Sequence, residues 1–258
     1  MSKIFLTVND EHLHNGLKFC TEYGINLEIE TFSKPHILNG DLDRHIDRYK
    51  SGLEGFNGRI SMHGAFHDLY SASADTLIRK ACMQRYVQSV KIAEKLNMEL
   101  VIFHFNFIPF IKVKDFRDRW TKMAVDFWKD FDKEISGTDI IVAIENLWEP
   151  DPELIIEVLD KVGSDRFKVC FDAGHCSLFS ELSLNEWIDR LGDYLYYVHV
   201  HNNFGKFDEH LSLHKGKIDY NDFFSYLKDT AAPFISMEFT GTHEDYVKSL
   251  ELLRKYFD

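Results

Sequence analysis

Short apolar runs recur along the chain and alternate with amphipathic segments. Eight of these runs are rich in β-branched and aromatic residues and have the length of buried strands. The pattern predicts strands at residues 4–8, 26–30, 59–63, 100–105, 140–145, 167–172, 194–201 and 234–239.

The segments between the runs have helical periodicity. It is clearest at residues 75–96, where apolar side chains such as Cys82, Tyr86 and Val90 recur every three or four positions. Pro152 suits a first helical turn, with Asp151 as the candidate N-cap. The pattern predicts helices at residues 75–96, 115–135, 152–162, 219–228 and 244–257.

Eight strand–helix units in 258 residues predict a (β/α)8 TIM barrel, with residues 1–258 forming a single domain. An open doubly wound sheet is the alternative, but its dinucleotide-binding version needs a glycine-rich turn after the first strand. Val8-Asn9-Asp10-Glu11-His12 contains no glycine at that position. The barrel interpretation also predicts that functional residues lie at the C-terminal ends of the strands.

The chain carries 42 acidic and 30 basic side chains and a formal charge of −12. This balance argues against binding nucleic acid mainly through phosphate contacts, although it leaves a local basic groove open. Four cysteines without a Cys-x-x-Cys pair are typical of reduced thiols. Neither a secretory segment nor an apolar run of roughly 20 residues is visible. We therefore expect a cytoplasmic enzyme without a membrane partner.

Each predicted strand from the third to the eighth carries a histidine, aspartate or glutamate at its C-terminal end, directly after its apolar residues. A single such residue is explained equally well by an ordinary hydrogen bond or lysine pair, but six successive strand ends share the feature. Carboxylates that converge on one barrel mouth repel one another unless a divalent ion lies between them. The mixture with imidazole suits Zn²⁺, Mn²⁺, Co²⁺ or Fe²⁺ better than Ca²⁺. The candidate ligands are His63, His104, Glu145, Asp172, His175, His199, Asp208, His210 and Glu238.

These motifs resemble the xylose isomerase-like barrels, a group that includes endonuclease IV and many sugar isomerases and epimerases. The resemblance covers almost the whole chain, and the nine residues match the nine ligands of the endonuclease IV three-zinc site. The spacings Asp172-x-x-His175 and Asp208-x-His210 agree as well. The resemblance therefore implies one to three divalent ions per chain. The ligands that match the single Mn²⁺-type site of the ketohexose epimerases are Glu145, Asp172, His199 and Glu238.

Two reactions follow from this resemblance. The leading expectation is a metal-dependent isomerase or epimerase of a small sugar or sugar phosphate, in which Glu145 and Glu238 transfer a proton through a metal-stabilised enediolate. The alternative is an endonuclease IV-like multi-zinc phosphodiesterase or other hydrolase. A metal-holding binding protein is a third, non-enzymatic hypothesis.

The mouth loops supply the predicted substrate contacts. These are His201, as a substrate or ligand-supporting residue, together with Trp148 and Lys206. Either Glu28 or Glu30 is expected to face the mouth, towards a substrate hydroxyl or a lysine. The exposed outer helices of a barrel would also permit a homodimer.

Overall fold

The strands of the computed structural model, which describes residues 2–229 and 233–257, form a closed parallel barrel in chain order. The ring closes where β1 pairs with β8, with Ile4 beside Ile235. This architecture confirms the predicted TIM barrel, and the predicted strand positions are confirmed with ends that differ by at most one or two residues. The strands are β1 Ile4–Val8, β2 Asn26–Ile29, β3 Ile60–His63, β4 Leu100–His104, β5 Ile141–Glu145, β6 Phe167–Asp172, β7 Leu195–Val200 and β8 Phe234–Met237.

Helices follow the strands and cover the outside of the barrel. The five predicted helices are confirmed with ends within one residue. The N-cap of the third predicted helix is Pro152, one residue later than the predicted Asp151, although the Asp151 side chain accepts a hydrogen bond from the Glu153 N–H. No helix in the described part of the chain is long and apolar enough to cross a bilayer. The helices are α1 Leu13–Tyr23, α2 Pro35–Asn39, α3 Leu42–Gly52, α4 Thr76–Lys95, α5 Phe116–Glu134, α6 Glu153–Val162, α7 Ala173–Phe179, α8 Leu184–Leu191, α9 Tyr220–Leu227 and α10 His243–Phe257.

Apolar side chains fill the barrel interior below the mouth. Phe5 and Tyr197 pack edge to face with 5.3 Å between ring centroids, and Leu100 and Ile102 belong to the same buried cluster. The Tyr197 hydroxyl lies 3.0 Å from Ser61 Oγ, so its polar end is satisfied. This packed layer supports the polar side chains that the same strands carry at their C-terminal ends.

Candidate metal centre

The barrel register brings the predicted ligands together at the C-terminal edge. His104 pairs with Glu145 across β4 and β5, and Asp172 pairs with His199 across β6 and β7. All four side chains are buried. Since the carboxyl ends of all the parallel strands meet at the same edge, residues far apart in sequence become neighbours.

Glu145 is the central residue of this group. Its Oε2 lies 3.1 Å from His63 Nε2 and 3.4 Å from His104 Nε2. Its Oε1 lies 3.2 Å from His199 Nδ1 and 3.5 Å from His175 Nδ1. Burial opposes ionisation of this carboxyl, but His199 and His104 beside it hold its pKa well below the usual range. Glu145 is therefore ionised, so each of its two carboxylate oxygens can act as a ligand for a cation.

The candidate ligands form clusters in which the potential ligand atoms lie within 4.8 Å of one another. The inner cluster contains His63, His104 and Glu145. The central tetrad contains Glu145, Asp172, His199 and Glu238. The outer cluster contains His175, His201, Asp208 and His210.

The central tetrad fits a divalent cation. Glu238 Oε2 is buried with His199 Nδ1 3.1 Å away, and Asp172 Oδ2 is buried and makes no hydrogen bond to any residue that the structure describes. A buried carboxylate oxygen left in this way is costly unless a cation lies beside it. Three carboxylates and one imidazole form a donor set suited to first-row metals. The tetrad therefore provides what a single Mn²⁺, Fe²⁺, Co²⁺ or Zn²⁺ ion requires.

In the outer cluster, one carboxylate lies between two imidazoles. Asp208 Oδ2 lies 3.1 Å from His175 Nε2 and 3.2 Å from His210 Nε2. Burial opposes the charged form of His210, but Asp208 and Glu238 together raise its pKa to about 9. Burial also disfavours ionised Asp208, yet the two imidazoles hold its pKa far below the usual value. Protons and metal ions compete for such groups, since ligands must release their protons to bind a metal.

Glu28 is a site residue whose partner the sequence did not reveal. It is fully buried on β2, and its Oε2 lies 3.1 Å from His199 Nε2. A histidine ligand is commonly oriented by such a carboxylate, which here leaves Nδ1 facing the tetrad. Of the two glutamates, Glu30 lines the mouth, and it lies 3.8 Å from Lys34.

A cavity of about 540 Å³ opens above the clusters of candidate ligands. Glu145 and Glu238 face it, and Trp148 forms part of its wall as predicted for a substrate contact. His201 is fully buried and Lys206 is exposed, and neither belongs to the described lining. His201 instead stacks on His210 with 3.8 Å between ring centroids and lies 3.2 Å from Asp172 Oδ1. The structure thus brings only Trp148 of these three predicted contacts to the cavity, and their roles stay predictions.

A family model described as a xylose isomerase-like TIM barrel matches residues 17–256. The chain belongs to this family. An uncharacterised protein of Methanocaldococcus jannaschii is 25% identical over 206 residues, which cover 77% of this chain and 70% of that protein.

Solved structures share the whole xylose isomerase-like barrel. A D-tagatose 3-epimerase-like protein aligns over 99% of this chain and 97% of its own, with 22% identity and a TM-score of 0.80. A Thermus thermophilus protein soaked with zinc chloride aligns over 98% of this chain and 97% of its own, with 20% identity and a TM-score of 0.81. At this identity the likeness establishes the common fold.

Proposed function

We propose that this protein is a divalent-metal-dependent isomerase or epimerase of a small sugar or sugar phosphate. The observation that supports this most is the central tetrad at the base of a cavity of about 540 Å³, into which Glu145 and Glu238 both face. That volume lies within the range of small-molecule sites. The likeness to a D-tagatose 3-epimerase-like protein agrees with a sugar substrate.

The two glutamates are suited to transferring a proton. They end β5 and follow β8, three strands apart around the ring, so they approach the cavity from different sides. Glu145 is fully buried, whereas Glu238 retains a small exposed area towards the cavity. A divalent ion in the tetrad would polarise neighbouring carbonyl and hydroxyl oxygens of the substrate and acidify the adjacent C–H bond. Glu238 would then remove or return the proton, with Glu145 acting from the other side.

The clustered ligands favour a second candidate, a multi-zinc phosphodiesterase. Glu145 belongs to both the inner cluster and the central tetrad, and the outer cluster supplies a further set of donors. In-line displacement at a phosphate uses several metal ions that share a bridging carboxylate. Metal stoichiometry separates the two candidates.

The test combines metal analysis with proton exchange. We expect about one ion per chain and solvent deuterium incorporated at the carbon beside the carbonyl of a ketose, measured by NMR. Glu238→Gln should reduce this exchange by about 10²–10⁴-fold, the usual contribution of a general base. Glu251→Gln, an exposed residue on α10, is the control and should leave the rate unchanged.

Two other outcomes would contradict the isomerase proposal. Two to three zinc ions per chain, with cleavage of an abasic-site duplex that is lost in Glu145→Ala, would replace the isomerase with the second candidate. A filled metal site without activity on any sugar or phosphoester would favour the metal-holding binding protein instead.

A further inference from the structure

The loop between β7 and α9, residues 201–219, carries two of the side chains that face the cavity. Asp208 and His210 both line it, and their side chains are 34% and 35% exposed. Candidate ligands at the ends of strands, such as Glu145 and His199, are buried and are fixed by the barrel itself. The positions of Asp208 and His210 depend instead on the contacts that hold the loop.

The backbone of His210 gives a further reason why the loop needs support. Its φ is 46°, in the left-handed region that a residue with a Cβ adopts only at a cost, and such a conformation persists only where surrounding contacts hold it. His210 Nδ1 lies 2.8 Å from the Glu238 carbonyl oxygen, and the backbone of Leu211 pairs with that of Asn202 at 2.7 and 2.8 Å. These contacts fix the base of the loop, whereas residues 212–215 continue from there to α10.

Asp245, in the first turn of α10, holds that part of the loop. Its side chain is only 8% exposed. Oδ2 accepts a hydrogen bond from the Thr242 N–H at 3.0 Å, while Thr242 Oγ1 accepts one from the Asp245 N–H at 3.2 Å, a reciprocal pair of the kind that caps a helix. Oδ1 faces the loop, where it lies 2.6 Å from Lys215 Nζ, 3.2 Å from His214 Nε2 and 3.3 Å from Ser212 Oγ.

A helix cap alone does not explain this arrangement. Capping occupies Oδ2, whereas three contacts from the loop converge on Oδ1. One turn further along α10, Ser249 Oγ accepts a hydrogen bond from the Leu213 N–H at 3.2 Å. Residues 212–215 are therefore attached to the same helix that brings Tyr246, the neighbour of Asp245, to the cavity. The loop and the helix together form one side of the cavity wall.

We propose that Asp245 is a positioning residue for this wall. It is not among the described lining residues, so it acts through the loop and keeps Asp208 and His210 directed into the cavity beside Tyr246. For its kinetic effect the inference rests on the proposed function, in which this wall would bind substrate hydroxyl groups. The central tetrad and its two glutamates are placed by the strands, so a loosened loop should weaken substrate binding more than it slows turnover.

The experiment compares Asp245→Asn with Glu244→Gln, the neighbouring position on α10. Both changes remove one carboxylate charge, but Glu244 is exposed and lies 2.6 Å from Lys248 on the same helix. Kinetics are measured on the metal-loaded protein with whichever of D-fructose, D-tagatose and L-ribulose shows the fastest solvent-deuterium exchange. We expect Asp245→Asn to raise KM about tenfold while kcat stays within about twofold, the pattern of a lost binding interaction. Glu244→Gln should leave both constants unchanged.

Amide hydrogen exchange of the metal-free protein gives a readout that does not depend on turnover. Asp245→Asn removes a charge-assisted contact, so the amide protons of residues 204–215 should exchange about tenfold faster, while those of β5 and β8 keep their rates. Lys215→Met is a second variant for the case that Asp245→Asn folds poorly. Its side chain is exposed, so its loss leaves the core intact and should shift KM and local exchange in the same direction.

The contrary outcomes separate the positioning role from the proposed function. A fall in kcat as large as the rise in KM, or faster exchange throughout the barrel, would assign Asp245 a general structural role and overturn the inference. Unchanged KM and unchanged exchange would overturn it as well. If the wild-type protein acts on no ketose or ketose phosphate, the proposed function is overturned, and local exchange at residues 204–215 then decides the positioning role by itself.

Discussion

Replacing Glu28 by glutamine should weaken metal binding in the central tetrad while leaving the barrel folded. The carboxylate and its partner His199 are both fully buried, and their 3.1 Å contact is shielded from solvent. Glutamine has nearly the same volume, so the change removes charge rather than packing. Its amide group can also donate to His199 Nε2, which would place the imidazole proton on Nδ1, the atom that faces the tetrad.

The expected loss is about 10–100-fold in metal affinity, the range found when a residue supporting a histidine ligand is removed. This corresponds to about 1.4–2.8 kcal/mol of binding free energy. The assay is competition for zinc between the protein and a chromogenic chelator, and nitrogen-15 NMR of the imidazole reports the tautomer of His199. Circular dichroism verifies that the variant remains folded.

The matched control is Glu30→Gln. It removes the same charge from the residue that directly follows β2, but Glu30 lies on the cavity wall beside Lys34. We expect a markedly smaller loss of zinc affinity and no change in the His199 tautomer. Equal losses in the two variants would mean that bulk charge explains the effect, and unchanged affinity in Glu28→Gln would refute the orienting role altogether.

Three further predictions concern packing, ionisation and metal-linked stability. Gly174→Ala should lower the free energy of unfolding by about 1–3 kcal/mol, because the new Cβ would lie 2.1 Å from His201 Cε1. The control is Gly137→Ala, where no described atom lies within 4 Å of the new Cβ, and it should change the free energy of unfolding by less than about 0.5 kcal/mol. Burial raises the pKa of Glu149 from 4.5 to about 7, although backbone N–H groups and the nearby His175 oppose the rise. The protonated Glu149 carboxyl therefore stabilises the fold fully below pH 4.5, and this contribution is lost as the pH rises through 7. The free energy of unfolding of Glu149→Gln relative to that of the wild type should thus increase by on the order of 3 kcal/mol over that interval, as measured by urea titrations. A constant difference would contradict this. Zinc at about 100 times its Kd should stabilise the metal-free protein by about 2.7 kcal/mol and raise its Tm, an effect that EDTA reverses; an unchanged Tm would show that the folded state does not bind zinc preferentially.

Hydrophobic periodicity alone was sufficient to predict the barrel. Each strand is a local apolar run, and long helices such as α4 and α5 repeat their pattern over several turns. No bounds were predicted for α1, α3 or α8, although α1 and α3 span 11 residues each. Short helices gave a weaker signal, and α2 and α7, which span only 5 and 7 residues, were missed as well. Fewer than two or so turns provide too few repeats to define a helical face.

The candidate ligands were also predictable, because a TIM barrel gathers strand ends at one edge whatever the intervening sequence. Contacts between individual side chains depend on strand register and closure, which no local pattern encodes. Only the tertiary structure paired Glu28 with His199, buried His201 behind His210 and left Lys206 outside the cavity lining. The sequence by itself therefore determined the fold and the residue types at the mouth. The folded chain decided which atoms face one another, because those distances arise from strands that are remote in sequence and adjacent in space.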